Sequence, residues 1–411
     1  MIEVNRHRLA NGLRIVHSQA KGARMVAVDV LYGVGSRDEV PGKTGLAHLL
    51  EHLMFNGSAG VRDFSACVQD AAGECNAWTN CDVTNYYMSL PPCNVETAFW
   101  LESDRMASLN LDLQSVTTQR DVVTEEFKQR VYNAPYGDIG HLLRGLCYTR
   151  HPYRWPTVGS CIDDVASLGV DDVKAFYSAY YNPCNAVLSV VGDISMDSVI
   201  GLADKWFGGI AGVPVPVRTY DAEPAQESRR LLQVERGVPV DTIYMAFPMV
   251  ERMHGDFYVY DIISDILSNG KSSRVVNNLV RRDKVFSTID AYIDGSMDAG
   301  LFHVDGKLSP GVTFEQAEEK IRGEIAALAG RPVMGHELEK VKNKYESNFM
   351  FSNLNNLNLA YSLAYYELLG DACGINSEVE KYKSVTAADI SRVLSGHFTD
   401  SNSSVVYYKA V

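Results

Sequence analysis

The chain has 411 residues, 46% of them hydrophobic and 22% charged, the balance of a water-soluble globular protein with room for two or three domains. Its net charge of −13 argues against a nucleic-acid partner, which wants basic patches. No apolar run reaches eighteen residues, so no membrane span is expected, and the start of the chain lacks the apolar core of a secretory signal. Eight cysteines without C-x-x-C spacing read as reduced thiols of a cytoplasmic protein, although an oxidised Cys75–Cys81 or Cys75–Cys93 pair stays open.

In chain order, the first strong strand signal is the β-branched run 25–30. Next comes His48-Leu49-Leu50-Glu51-His52. On a helix, residues four apart share a face, so His48 and His52 can close on one metal ion, and Glu51 leans to the same side. This is the inverted counterpart of H-E-x-x-H. Leu46, Ala47, Leu49, Leu50, Leu53, Met54 and Phe55 surround the polar triplet, so the helix should be buried, and buried imidazoles and carboxylates need partners. A zinc ion bound by imidazole and carboxylate would supply one, leaving its fourth position to water.

The segment 76–87 has the Trp, Thr, Val and Tyr content of a strand, either an exposed edge or an ordinary interior one. The segment 117–127 reads as a helix capped by Thr117 or Thr118, with Val122, Val123 and Phe127 on its apolar face. Glu126 shares the face of Val122 and points inward, while Glu125 points to solvent. By pattern alone Glu126 is equally a third metal ligand or half of a surface pair. A further strand follows at 186–191. The proline-rich, aperiodic stretch 211–227 then splits the chain nearly in half.

The order then resumes with a strand at 241–247, a helix at 257–267 and Asn269-Gly270. Laying Asn269-Gly270 on Asn56-Gly57 sets Asp261, Ser264 and Asp265 opposite His48, Glu51 and His52. This internal repeat predicts an α+β chain of two homologous halves, 1–212 holding the metal and 229–411 without it, joined by a linker at 213–228. Both halves are expected to be mixed, antiparallel-rich sheets packed with helices. The segment 331–366 reads as helices of the second half.

Several of these runs resemble one family. Gly45 through Gly57 is similar to the active-site helix of the insulinase, pitrilysin and mitochondrial processing peptidase family, and so is Arg120-Asp121-Val122-Val123-Thr124-Glu125-Glu126. Asn76-Ala77-Trp78-Thr79, His151-Pro152-Tyr153 and Asn182-Pro183 extend the likeness over the first half, and Asn269 through Arg274 carry it more loosely into the second. The resemblance implies a clamshell of two halves around a cavity, often dimeric or paired with a related subunit. It implies one Zn2+ per chain on His48, His52 and Glu126, the last seventy-four residues beyond His52. It makes Glu51 the general base for peptide-bond hydrolysis, and makes Asn76, Ala77 and Trp78 an edge strand on which extended or unfolded peptides pair.

Two positions depart from the pattern. Gln119 stands where the family has a glutamate supporting the third ligand. In the second half, Arg281 stands for a substrate-holding arginine, but Phe286 falls where a tyrosine is usual, with Tyr292 as a substitute. The family also contains scaffold members without the ligands and members active only beside a partner, and both stay open as alternatives.

Overall fold

A computed structural model describes residues 1–331 and 333–411. The chain runs β1 (Asn5–Arg8), β2 (Arg14–Gln19), β3 (Val26–Tyr32), α1 (Leu46–Leu53), α2 (Phe64–Asp70), β4 (Glu74–Thr79), β5 (Thr84–Leu90), α3 (Glu96–Ser108), α4 (Leu113–Phe127) and α5 (Ile139–Cys147). It continues through α6 (Ile162–Ala166), α7 (Val170–Tyr180), β6 (Ala186–Gly192), α8 (Met196–Phe207), β7 (Arg230–Arg236), β8 (Thr242–Pro248) and α9 (Phe257–Ser268). Last come β9 (Phe286–Ile293), β10 (Leu301–Leu308), α10 (Phe314–Gly330), α11 (Gly335–Ser352), α12 (Asn356–Leu368), α13 (Glu378–Ser384), α14 (Ala387–His397) and β11 (Ser404–Ala410).

Two compact α+β units form. The first comprises Met1–Gln129, Trp155–Tyr220 and Phe349–Ser377; the second comprises Arg130–Arg154, Asp221–Asn348 and Glu378–Val411. In the first, the sheet order is β1-β2-β6-β3-β5-β4. β2 and β6 are parallel and the other neighbours antiparallel. β3 and β6 are buried on both faces, which suits their Val, Ala and Leu content. One face carries α1, and Phe55 beyond it packs on Tyr86 of β5. The other carries α12, whose Tyr361 meets Trp78 of β4. The expectation that 331–366 forms helices of the second half therefore fails for its last helix. Ala360, Leu363 and Ala364 are buried in α12, and they complete the core of the first sheet.

The second unit repeats the plan. Its order β7-β11-β8-β10-β9 corresponds strand for strand to β2-β6-β3-β5-β4, again with the outer pair β7 and β11 parallel. Met245, Phe247, Ile263, Phe302 and Val405 fill its core, and α5 from the first half of the sequence packs on β8 and β11. The duplication read from Asn56-Gly57 and Asn269-Gly270 is thus a duplication of topology. Both glycines sit at φ +96°, and both follow the helix carried by their sheet. At Gly57 a Cβ would stand 2.7 Å from the Val61 carbonyl oxygen, so the turn needs glycine on both counts.

The stretch 76–87 is not one strand but a hairpin. β4 pairs on one side only and is the sheet edge, whereas β5 lies between β4 and β3. Asn80 makes the turn, its side chain accepting from the Asp82 and Val83 amides. The eight cysteines are all free thiols, so neither Cys75–Cys81 nor Cys75–Cys93 is bridged. Among the described residues, no helix is long and apolar enough to cross a membrane.

Candidate metal centre

α1 begins at Gly45, held at φ +89°, a left-handed conformation that a side chain would strain. Its first amides are not left to water. The buried Glu39 carboxyl group accepts from Gly45 N at 3.0 Å and Ala47 N at 2.8 Å. Sequence reading missed Glu39, because its partners are backbone groups six and eight residues away and leave no side-chain pattern. Leu46, Ala47, Leu49, Leu50 and Leu53 are buried around the helix, each leucine worth roughly 1.5–3 kcal/mol. That packing fixes the rotation of α1, leaving His48 6% exposed and Glu51 and His52 half-buried at one side.

α4 supplies the third group. It starts earlier than the threonines suggested: Asp112 is the N-cap and accepts from Ser115 N at 2.7 Å, so Thr117 and Thr118 lie inside the helix. Its inward face is also set differently. Val122 is 47% exposed, while Val123 and Phe127 are buried. Glu126 comes inward because it follows Val123 by three residues. Glu125 stays outside, paired with Lys128 at 2.6 Å.

These two helices bring His48, His52 and Glu126 together. Glu126 Oε2 lies 3.7 Å from His48 Nε2 and 3.5 Å from His52 Nε2. The imidazoles stand edge to face with centroids 4.8 Å apart. One donor atom from each of the three residues falls within 4.8 Å of the others, the sole such cluster of His, Cys, Asp or Glu among the described residues. A tetrahedral zinc with bonds of about 2.0–2.2 Å needs donors about 3.3–3.6 Å apart. The His52–Glu126 spacing falls within that range and the His48–Glu126 spacing just beyond it, and both are long for direct N–H···O bonds. Two neutral nitrogens and one carboxylate oxygen are a donor set that zinc accepts, so the residues fit the ion.

The surroundings are closely packed. Tyr86 and Tyr181 hydroxyls lie 3.4 Å apart, and burial raises both pKa values, with the Glu51 charge adding to the rise. Arg105, ion-paired with Glu102 at full burial, lies 4.3 Å from the Tyr86 ring centroid and 4.5 Å from that of Phe64. Gln119 lies on α4 seven residues before Glu126. Its Nε2 donates to Asn56 Oδ1 at 2.9 Å, tying α4 to the turn after α1.

Family models match residues 14–136 as insulinase, peptidase family M16, and residues 167–345 as the peptidase M16 inactive domain. The chain is 30% identical over 410 residues to the zinc protease PqqE of Helicobacter pylori, covering 98% of this chain and 91% of that one. The chain belongs to the insulinase family. A crystal structure of a protease from Helicobacter pylori superposes with TM-score 0.95 at 29% identity, each chain covered fully. A peptidase M16 inactive domain from Pseudomonas fluorescens shares the fold with TM-score 0.89 at 15% identity, covering 100% of this chain and 98% of that one.

Of the remaining family positions, Asn76, Ala77 and Trp78 lie on the edge strand β4. Arg281 lies in the second unit, where Nη1 donates to Asn277 Oδ1 at 3.3 Å. Phe286 is 1% exposed and its ring packs on the backbone of Gly306, where a Cβ would stand 2.6 Å from Cε1. It is a core residue of β9. The Tyr292 hydroxyl, named as a substitute, donates to Asp305 at 2.7 Å and its ring stacks on His303.

Proposed function

We propose that this chain is a zinc metalloendopeptidase acting on extended or unfolded peptides. The convergence of His48, His52 and Glu126, with Glu51 on the same helix as the two imidazoles, is the observation that supports this reading. His48 Nε2, His52 Nε2 and a Glu126 oxygen would hold one Zn2+ per chain. Bound there, zinc polarises a peptide carbonyl and makes water more acidic. The Glu51 carboxylate would take a proton from the attacking water and deliver it to the leaving amide nitrogen, so that the C–O bond forms and the C–N bond breaks with a neutral amine, not an amide anion, leaving. Gln119, through Asn56, keeps α4 in register with α1.

The free side of β4 offers backbone groups with no partner strand, the Ala77 N–H being held only by the Asn76 side-chain oxygen at 2.8 Å, and an extended peptide would displace that contact and add there as a further strand beside Asn76, Ala77 and Trp78. Backbone pairing makes sequence preference broad and excludes folded substrates. We assign the catalytic role to the half spanning 1–212 and a non-catalytic one to 229–411, joined by 213–228. Action as a homodimer or beside a related subunit follows from the family. Eight free thiols suit a reducing compartment such as the cytoplasm. A pure scaffold role is the weaker reading, since the ligand set in the first unit is complete.

The test is cleavage of an internally quenched, unstructured peptide by the purified chain, with 1,10-phenanthroline added and then zinc restored. Chelator-sensitive, zinc-restored internal cleavage is expected. A chain that holds zinc yet cleaves nothing would support the scaffold reading instead.

A further inference from the structure

On the sheet face opposite α1 lies a cavity of about 210 Å³ between β3, β4, β5 and α12, lined by Asp29, Trp78, Asn85, Tyr87, Asn358 and Tyr361 among others. The two faces follow from the alternation of β5. Tyr86 turns toward Phe55 beyond α1, so Asn85 and Tyr87 turn the other way. Asp29 sits on β3, third strand from the edge, and is only 1% exposed. Neither of its oxygens receives a hydrogen bond, and neither does Asn85 Oδ1. The Asn85 side chain eases the Asp29 charge somewhat, without hydrogen-bond geometry, while burial drives the Asp29 pKa well up.

A buried carboxylate without donors is costly. A proton on Asp29 would remove the charge, but it brings one donor to a site with three unpaired acceptor oxygens. An ammonium brings three donors and a guanidinium five. The walls suit such a group. Trp78 and Tyr361 meet edge to face at 5.1 Å and 74°, and Tyr87 is a third ring, so much of the lining shared with the carboxylate is aromatic and suited to a cation. A hard metal cation fits poorly, because it wants six to eight oxygens and gains nothing from indole or phenol rings.

We propose that this cavity binds a primary ammonium or guanidinium group, with Asp29 and Asn85 as its acceptors and Trp78 and Tyr361 as its walls. The chemistry is that of a lysine or arginine side chain of a peptide, or of a free alkylamine. The site is separate from the metal centre and stands whether or not the chain is a peptidase.

The test is calorimetric titration of the full chain with n-butylammonium and n-propylguanidinium, with 1-butanol as the neutral isostere. Saturable binding of the cations but not of butanol is expected, and Asp29→Asn should weaken it about tenfold to a hundredfold. Asn is the isostere of the buried acid, so Asp29→Asn should fold. If it does not, the comparison with butanol in the wild type decides alone. A lysine-containing peptide amide and its norleucine counterpart separate the sources. A peptide that displaces butylammonium and binds more tightly assigns the pocket to peptides; equal affinity assigns it to free amines. No saturable cation binding, equal binding of butanol, or unchanged affinity in a folded Asp29→Asn would overturn the proposal and leave Asp29 as a protonated core residue.

Discussion

α1 and α9 occupy equivalent places in two equivalent sheets, yet their polar residues have opposite needs. On α1, two imidazoles and the Glu126 carboxylate converge with separations suited to an ion. On α9, the same positions hold Asp261, Ser264 and Asp265, and each acid is answered within its own unit. Asp261 accepts from the Tyr382 hydroxyl, and burial lifts its pKa to about 6. Asp265 accepts from Asn269, whose own oxygen is bound by Lys344; burial raises the Asp265 pKa, and the Asn269 hydrogen bond with the Lys344 and Lys340 charges offsets part of that rise. Where α4 brings a carboxylate and Gln119 toward α1, α11 brings lysines toward α9. The fold provides the place twice, and among the described residues only the first copy gathers a donor set that could hold a metal.

The sharpest way to break this contrast is Glu51→Gln. It should lower peptide turnover by roughly 10²–10⁴-fold while zinc content, measured by mass spectrometry, stays unchanged. Near-native turnover would remove Glu51 from the chemistry. Glu126→Gln should cost more zinc affinity than the 10–100-fold typical of losing an outer partner, whereas Asp265→Asn should leave bound zinc unchanged. Competition with a fluorescent chelator reads both.

Smaller effects test the supporting structure. Phe286→Tyr should destabilise by about 1–3 kcal/mol, seen in chemical unfolding, because its hydroxyl enters the packed core over Gly306. A gain in turnover there instead would return that position to the substrate. Glu39→Gln tests the helix start through pH. Burial lifts the Glu39 carboxyl from 4.5 to about 8. The folded chain therefore holds a proton that the unfolded chain releases, and this contribution is full below pH 4.5 and fades as pH rises through 8. Wild-type melting temperature should fall across that window relative to Glu39→Gln. Parallel curves would contradict the assignment.

Much of this was legible in the residues. Two imidazoles inside an apolar helix announce a partner, and the repeated Asn-Gly announces a duplicated unit. What the residues hid were long-range exchanges. α12 carries apolar positions suitable for either sheet, so only tertiary packing places it on β3 and β6. The face of α4 was misjudged by one residue, because Val122 and Val123 are equal in hydrophobicity and only burial distinguishes them. Phe286 matched a functional position by spacing, while an irregularity in the β9–β10 register breaks the alternation at 287–288 and leaves it in the core. Glu39 acts through backbone amides, which carry no side-chain signal.

Anomalous diffraction at the zinc edge from crystals grown with zinc measures the difference between α1 and α9 directly. One well-occupied peak per chain is expected among His48 Nε2, His52 Nε2 and Glu126, with none beside Asp261 and Asp265. A peak at α9 of equal height, or no peak at α1, would contradict it.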